Sequence, residues 1–292
     1  MEKIIKSVAA KFFNVVEEQV EITYRLMGGM SNLMYVICVN GEKYTFRIPG
    51  KNANVFVNRV EERANIEIIA NLGINNETIY FDVTTGYKIA KFVEGTPLSE
   101  IENPENYLTE IANVLHQLHR SNLKALEDYS PYSRLVKYEH LVLKLDFTQD
   151  EHYFLLKDKF LSNREFLNGF EKVICHNDSQ LSNIVIGNRK IYLLDWEFTG
   201  QNDPLYDVAC VGNFDFEVAI KFLPVYLGRK PKASEWKRLY LWRAFQCLQW
   251  YNVALYKDLI GLSKDLKLDF MAIAQNYLKK AEKLLMEAKS FQ

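Results

Sequence analysis

Histidine is scarce in this 292-residue chain, with five in all, and its four cysteines stand far apart. Cys38, Cys175, Cys210 and Cys247 form no CxxC pair, so neither a disulfide framework nor a Cys-rich zinc site is expected. Reduced thiols fit a cytoplasmic protein better. His116 and His119 lie three apart on a helical pattern, but no Cys, Asp or Glu stands at a matching offset, so a structural role is expected. An excess of either charge is also missing: 36 Lys and Arg against 37 Asp and Glu leave a net charge of −1. Nucleic-acid-binding domains tend to be clearly basic, so a nucleic-acid partner has no support. No apolar run approaches the ~18 residues of a membrane span. The opening MEKIIKSVAAKFF is interrupted by Lys6 and Lys11 and reads as an amphipathic helix, not a signal peptide. Internal repeats and low-complexity linkers are absent too.

What is present is the composition of a soluble globular protein, 48% hydrophobic and 25% charged, long enough for two lobes. Residues 22 to 48 read as strands, ITYRLM, LMYVICV and KYTFRI, separated by GGMSN and NGEK. Asn40-Gly41 is a strong hairpin signal, because both positions tolerate positive φ. A helical pattern at about 57 to 72 carries Val60, Ala64, Ile68 and Leu72 and stops at Gly73. Short strands follow around 79 to 82 and 87 to 92. Beyond the turn Glu94-Gly95-Thr96-Pro97, helices dominate. Asn103-Pro104 is a helix start, and Leu108, Ile111, Leu115 and Leu118 share a face. Further helical patterns cover about 134 to 168, 203 to 226, 232 to 260 and 268 to 289. The expected fold class is α+β and two-lobed: a β-rich N-terminal lobe over 1–93, a hinge near 93 to 97, and a larger, mostly helical lobe over 94–292.

Chemistry concentrates in VICHNDSQLSNIVI, residues 173 to 186, where a polar run sits between two strand-like segments. His176-x-Asp178-x-x-x-x-Asn183 has the spacing of a kinase catalytic loop. There a carboxylate accepts the proton of a substrate hydroxyl, and an amide oxygen a few residues on binds Mg²⁺. Taken alone, the run also fits an ordinary polar turn. Twelve residues after Asn183, Asp195 ends the strand-like IYLL, where a kinase places its second metal-binding acid. An acid closing an apolar strand is costly unless compensated, and a hard cation would compensate it. Together the two motifs point to phosphotransfer.

The N-terminal segment offers matching parts. Gly28-Gly29-Met30-Ser31-Asn32 joins two strands and could cover ATP phosphates with backbone N–H groups, though two glycines also suit a plain turn. Arg47, at the end of the third strand, stands in the place of a phosphate-holding lysine. Glu62, in the following helix, is its candidate partner, with Glu67 as the substitute. Neither G-x-x-x-x-G-K-[ST] nor G-x-G-x-x-G occurs, so no P-loop or Rossmann site is supported.

Through GGMSNLMYVI, RIPG, NRVEERANIEIIANLGI, HNDSQLSNI and LLDWEFTGQNDPLYDVA the chain resembles the choline/ethanolamine kinases, particularly the bacterial choline kinases. These lie within the aminoglycoside-phosphotransferase and protein-kinase-like superfamily. The resemblance implies a Mg-ATP-dependent kinase with Asp178 as base and Asn183 and Asp195 as Mg²⁺ ligands. Gln180 would orient the γ-phosphate or substrate. Asp207 would brace the loop through backbone N–H groups, with His176 in support. Two departures stand out: Arg47 replaces the lysine of many relatives, and Glu197 replaces the Gly that follows Asp-Phe in protein kinases.

Only EFTGQN separates Asp195-Trp196 from the next helical pattern, leaving little room for a peptide platform. A small hydroxylated acceptor is expected. Choline has no N–H donor, and aromatic faces recognise it at roughly 0.5–2 kcal/mol per ring. Trp236, Trp242 and Trp250 lie in one helical stretch, although packing alone accounts for such aromatics. The resemblance favours Trp250 for the cage, then Trp242 and Tyr206, with Glu197 as counter-charge. Ethanolamine, thiamine and aminoglycosides are alternative acceptors, and a pseudokinase-type binding module is the non-enzyme alternative.

Overall fold

The computed structural model of the chain describes residues 1–26, 32–187 and 190–291. The chain packs as two compact units, one joining Met1–Pro104 to Leu181–Thr199, the other Glu105–Gln180 to Gly200–Gln292. The sequence suggested a single boundary after residue 93. The difference arises because a hairpin from later in the chain pairs with a strand just past that boundary.

In the first unit, α1 (Glu2–Phe13) precedes β1 (Val20–Leu26), β2 (Asn32–Val39) and β3 (Glu42–Pro49). The β2–β3 turn sits at Asn40 (φ 52°) and Gly41 (φ 82°), the positive pair that the Asn-Gly signal predicts. Next come α2 (Arg59–Ile69), β4 (Thr78–Phe81) and β5 (Lys88–Lys91). The sheet is antiparallel in the order β1-β2-β3-β5-β4, so β5 lies between β3 and β4 and pairs with both. α1 is amphipathic: Ile5, Ala9 and Ala10 pack with Val20, Ile37 and Phe46 in one buried cluster. At the start of α2, Asn58 Oδ1 accepts the N–H groups of Val60 and Glu61 at 3.1 and 3.4 Å, satisfying first-turn donors.

β6 (Thr96–Pro97) pairs with β8 (Ile184–Gly187), and β8 pairs with β9 (Lys190–Leu193). Two glycines permit this contact. A Cβ at Gly95 would lie 2.4 Å from Ile186 O, and one at Gly187 2.2 Å from Glu94 O. This close backbone approach fixes the hairpin whose open end carries Asn183 before β8 and Asp195 after β9.

The second unit contains the short strands β7 (Val173–Cys175) and β10 (Gly200–Asn202), paired antiparallel. Its helices are α3 (Leu108–His119), α4 (Pro131–Leu143), α5 (Glu151–Leu161), α6 (Arg164–Asn168), α7 (Pro204–Val211), α8 (Phe216–Leu227), α9 (Ala233–Leu259), α10 (Leu262–Leu266) and α11 (Phe270–Ala288). The pattern read as helical over 134 to 168 is broken into α4, α5 and α6. Asp146 adopts φ 56° after α4, and Asp150 caps α5 through the His152 N–H at 2.8 Å. Similarly, 203 to 226 divides at Gly212 into α7 and α8. α9 is buried on nearly every side, which marks a central helix and not a surface amphipathic one. Among the described residues, no helix is long and apolar enough to cross a membrane. The class is thus α+β, with a sheet-rich N-terminal part and a larger helical part.

Candidate active site

The polar run of residues 176 to 183 lies between β7 and β8. Its backbone is held by Asp207 on α7, whose Oδ2 accepts the His176 N–H at 2.8 Å and whose Oδ1 accepts the Asn177 N–H at 2.7 Å. His119 Nε2 lies 2.9 Å from Oδ2, and Ser179 Oγ donates to the Asp207 carbonyl at 2.8 Å. Burial by itself would raise the Asp207 carboxyl. The hydrogen bond and charge of His119, with help from His176, carry it below the usual carboxylate range. Asn177 sits at φ 63°, a region Asn tolerates. Its amide donates to the Cys175 and Gly200 carbonyls at 3.2 Å each and accepts from Asn202 at 2.8 Å. These bonds turn the chain sharply and present Asp178, which is 9% exposed. The Asp178 N–H donates to His176 Nδ1 at 3.2 Å. Gln180 Nε2 donates to Asp178 Oδ2 at 3.3 Å.

In the first unit, Arg47 and Glu62 form a buried two-point ion pair, Nη1 to Oε1 at 2.5 Å and Nη2 to Oε2 at 3.1 Å. Arg47 also donates to the Gly86 carbonyl from Nε (3.3 Å) and Nη2 (3.2 Å). The planar guanidinium grips the carboxylate at two points while still donating to a peptide oxygen, a geometry that a lysine ammonium does not offer in fixed form. With 1% exposure and these donors engaged, Arg47 ties α2 to the sheet through Glu62, the partner the sequence suggested.

Two cations that sequence reasoning missed share the cluster. Arg59 Nη1 meets Glu62 Oε2 at 2.6 Å and Glu197 Oε2 at 3.1 Å, and Lys88 Nζ lies 3.4 Å from Glu62 Oε1. Lys88 stands opposite Arg47 across the β3–β5 register, a neighbour that strand order alone reveals. Burial and the Arg47 charge lower the Lys88 ammonium. For Glu62, burial opposes ionisation, yet Arg47, Lys88 and Arg59 pull it down to about 2. Glu197 goes the other way: burial, then the charges of Asp195 and Glu62, push it up to about 7, with Arg59 and Arg47 pulling back. Its Oε2 also accepts from Asn32 Nδ2 at 3.0 Å. Glu197 is therefore a member of this cluster. Gly28, Gly29 and Ser31 lie outside the described residues.

Asn183 and Asp195 occupy the open end of the β8–β9 hairpin, where the Leu194 N–H donates to the Asn183 carbonyl at 2.8 Å. Asp195 adopts φ 65° as the strand ends. An amide oxygen and a carboxylate are both donors of the kind a hard divalent cation takes.

The aromatic candidates separate. Trp242 is 3% exposed, packs against Tyr206 and Phe245, and donates from Nε1 to Asp203 Oδ2 at 2.8 Å. Tyr206 is 1% exposed, its hydroxyl 3.0 Å from that of Tyr129. Both are buried in the helical part with satisfied polar tips, the packing role that the sequence also allowed for such aromatics. Trp250 is half-buried and interrupts the run of buried residues along α9.

A catalytic-loop spacing between β7 and β8, followed by a hairpin that ends in Asp195, is the chain order of a protein-kinase-like phosphotransferase. More narrowly, the chain belongs to the choline/ethanolamine kinase family, whose profile, Choline/ethanolamine kinase, matches residues 23–245. It is 26% identical to Protein LicA of Haemophilus influenzae over 250 residues, covering 80% of this chain and 73% of that protein. The solved choline kinase LicA from Streptococcus pneumoniae aligns with TM-score 0.78 and 23% identity over 98% of this chain and 99% of its own. A structure of LicA in complex with AMP also aligns at 0.78, with 23% identity over 99% of each chain. Aminoglycoside phosphotransferase APH(4)-Ia shares the fold more distantly, with TM-score 0.64 and 15% identity over 97% and 98% of the two chains. The protein is a small-molecule kinase.

Proposed function

We propose that the protein transfers the γ-phosphate of Mg·ATP to the hydroxyl of choline, giving phosphocholine and ADP. The observation that carries this reading is the family match, which spans both the Asp178 loop and the Asp195 segment. The choline kinase LicA structures support the acceptor, and the AMP bound in one of them supports the nucleotide.

In this reading Asp178 takes the choline hydroxyl proton as the oxygen attacks the γ-phosphorus and the bond to ADP breaks. The Asp207 brace supports a fixed aim for Asp178, since its two backbone N–H bonds leave residues 176 and 177 little freedom. Gln180 holds Asp178 Oδ2 and orients the acceptor side. Asn183 and Asp195 would hold Mg²⁺, which neutralises phosphate charge when bound. Arg47 and Glu62 serve indirectly by fixing α2 on the sheet. Trp250 offers choline an aromatic face from α9.

ADP release measured with choline, ethanolamine, thiamine and an aminoglycoside panel tests the proposal. Turnover greatest with choline is expected. Activity on antibiotics alone would replace the acceptor and keep the reaction class, and no turnover with any acceptor would favour a pseudokinase-type binding module.

A further inference from the structure

We infer that Arg243 is a positioning residue for the phosphotransfer step, fixing through Asn213 the orientation in which Gln180 offers its amide N–H to Asp178. The inference rests on the roles proposed above for Asp178 and Gln180.

Arg243 lies in α9 with 2% of its surface exposed. Its guanidinium is solvated by neutral acceptors: Nη1 donates to Gln246 Oε1 at 2.9 Å, and Nη2 to Asn213 Oδ1 at 2.7 Å and Asn213 O at 3.1 Å. Asn213 Nδ2 then donates to Gln180 Oε1 at 2.5 Å. Gln180 Nε2 in turn donates to Asp178 Oδ2 at 3.3 Å. An amide side chain carries an oxygen and an NH₂ of nearly equal shape, so neither Asn213 nor Gln180 intrinsically prefers one end toward Asp178. The two ends of the chain remove that freedom. A guanidinium only donates and an ionised carboxylate only accepts, so each amide between them must turn its oxygen toward Arg243 and its nitrogen toward Asp178. One buried cation thereby sets the polarity of the whole row.

A second branch works in the same direction. With Oε1 of Gln246 held by Arg243, its Nε2 donates to the Tyr206 carbonyl at 3.0 Å and to Cys210 Sγ at 3.2 Å, both on α7. α7 also carries Asp207, which holds the loop backbone. Arg243 thus stands behind both the backbone brace and the side-chain row.

A purely structural tie between α9 and Asn213 would give the same contacts, and Asn213→Asp separates the two. Aspartate still accepts from Arg243, with added charge attraction, but has no NH₂ for Gln180. We expect Asn213→Asp to keep or raise Tm while kcat falls about 10-fold or more and ATP KM changes little, because misplaced catalytic groups cost up to ~10²-fold. Arg243→Met should lose kcat similarly, and Arg243→Lys should restore part of it. The side-chain NH₂ resonance of Gln180, assigned by its loss in Gln180→Glu, should shift in both Asn213→Asp and Arg243→Met. Asn213→Asp with kcat within twofold of wild type, or an unmoved Gln180 resonance, would overturn the inference. If wild type turned over no acceptor, the proposed reaction would fall, and the resonance would still decide the orientation.

Discussion

Glu62→Gln removes one charge from a site where three cations converge on a single buried carboxylate. Arg47 binds it with two bonds, Arg59 at 2.6 Å and Lys88 at 3.4 Å, and its side chain is fully buried. Leaving such cations without their carboxylate costs ~3–5 kcal/mol in buried pairs where one partner is deleted. The ionisation of Glu62 gives an independent figure. Its folded value of about 2 lies below the ordinary glutamate value of 4.5, and at ~1.4 kcal/mol per unit the ionised form contributes on the order of 3 kcal/mol at neutral pH. Because the folded value is lowered, that contribution is complete above about pH 4.5 and disappears as pH falls toward 2. At pH 3 the same linkage leaves about 1 kcal/mol. Urea denaturation of wild type and Glu62→Gln at pH 7 and pH 3 measures both values. The gap between the two proteins should be several kcal/mol at pH 7 and shrink by more than half at pH 3. A gap under about 1 kcal/mol at pH 7, or one that does not change with pH, would refute the electrostatic account of the cluster.

The remaining predictions concern catalysis and the acceptor. Asp178→Ala should lower kcat on the order of 10²-fold or more with a modest change in ATP KM, and near-normal turnover would remove it as base. Asp195→Ala should abolish Mg²⁺-dependent turnover; activity retained at ordinary Mg²⁺ would sink the ligand assignment. Trp250→Ala should raise choline KM and leave ATP KM unchanged, whereas equal effects on both would indicate packing. Trp242→Ala, by contrast, should cost ~3–5 kcal/mol of stability, read from a denaturant midpoint, because it empties a core site.

What could be read in the sequence was what neighbouring residues decide among themselves. The Asn40-Gly41 hairpin follows from backbone sterics, and α1 from an apolar stripe with lysines between. The 176 to 183 run stands between strands because its polar residues interrupt two β-branched segments. Its spacing to Asp195 was visible because a connected chain carries the motif without reference to anything distant. The breaks inside 134 to 168 were less legible, since apolar periodicity continues across turns made by ordinary residues such as Asp146.

Tertiary structure alone decided which residues meet. Glu197 follows Asp195-Trp196 in the chain and was expected to face an ammonium ion. Arg59 and Asn32, distant in sequence, are the partners the fold gives its Oε2. Lys88 gained its place only because β5 is inserted between β3 and β4. Trp242 and Trp250 read alike in one helical stretch, yet the packing of α9 buried the first and left the second half-exposed. Nothing local announced that Arg243 and Asn213 stand behind Gln180. The sequence by itself determined the local conformations and the order of the catalytic motifs, because both depend on short-range sterics and covalent spacing. The partners of each buried charge were left to the fold, because burial and Coulomb attraction act on distance in space and not on distance along the chain.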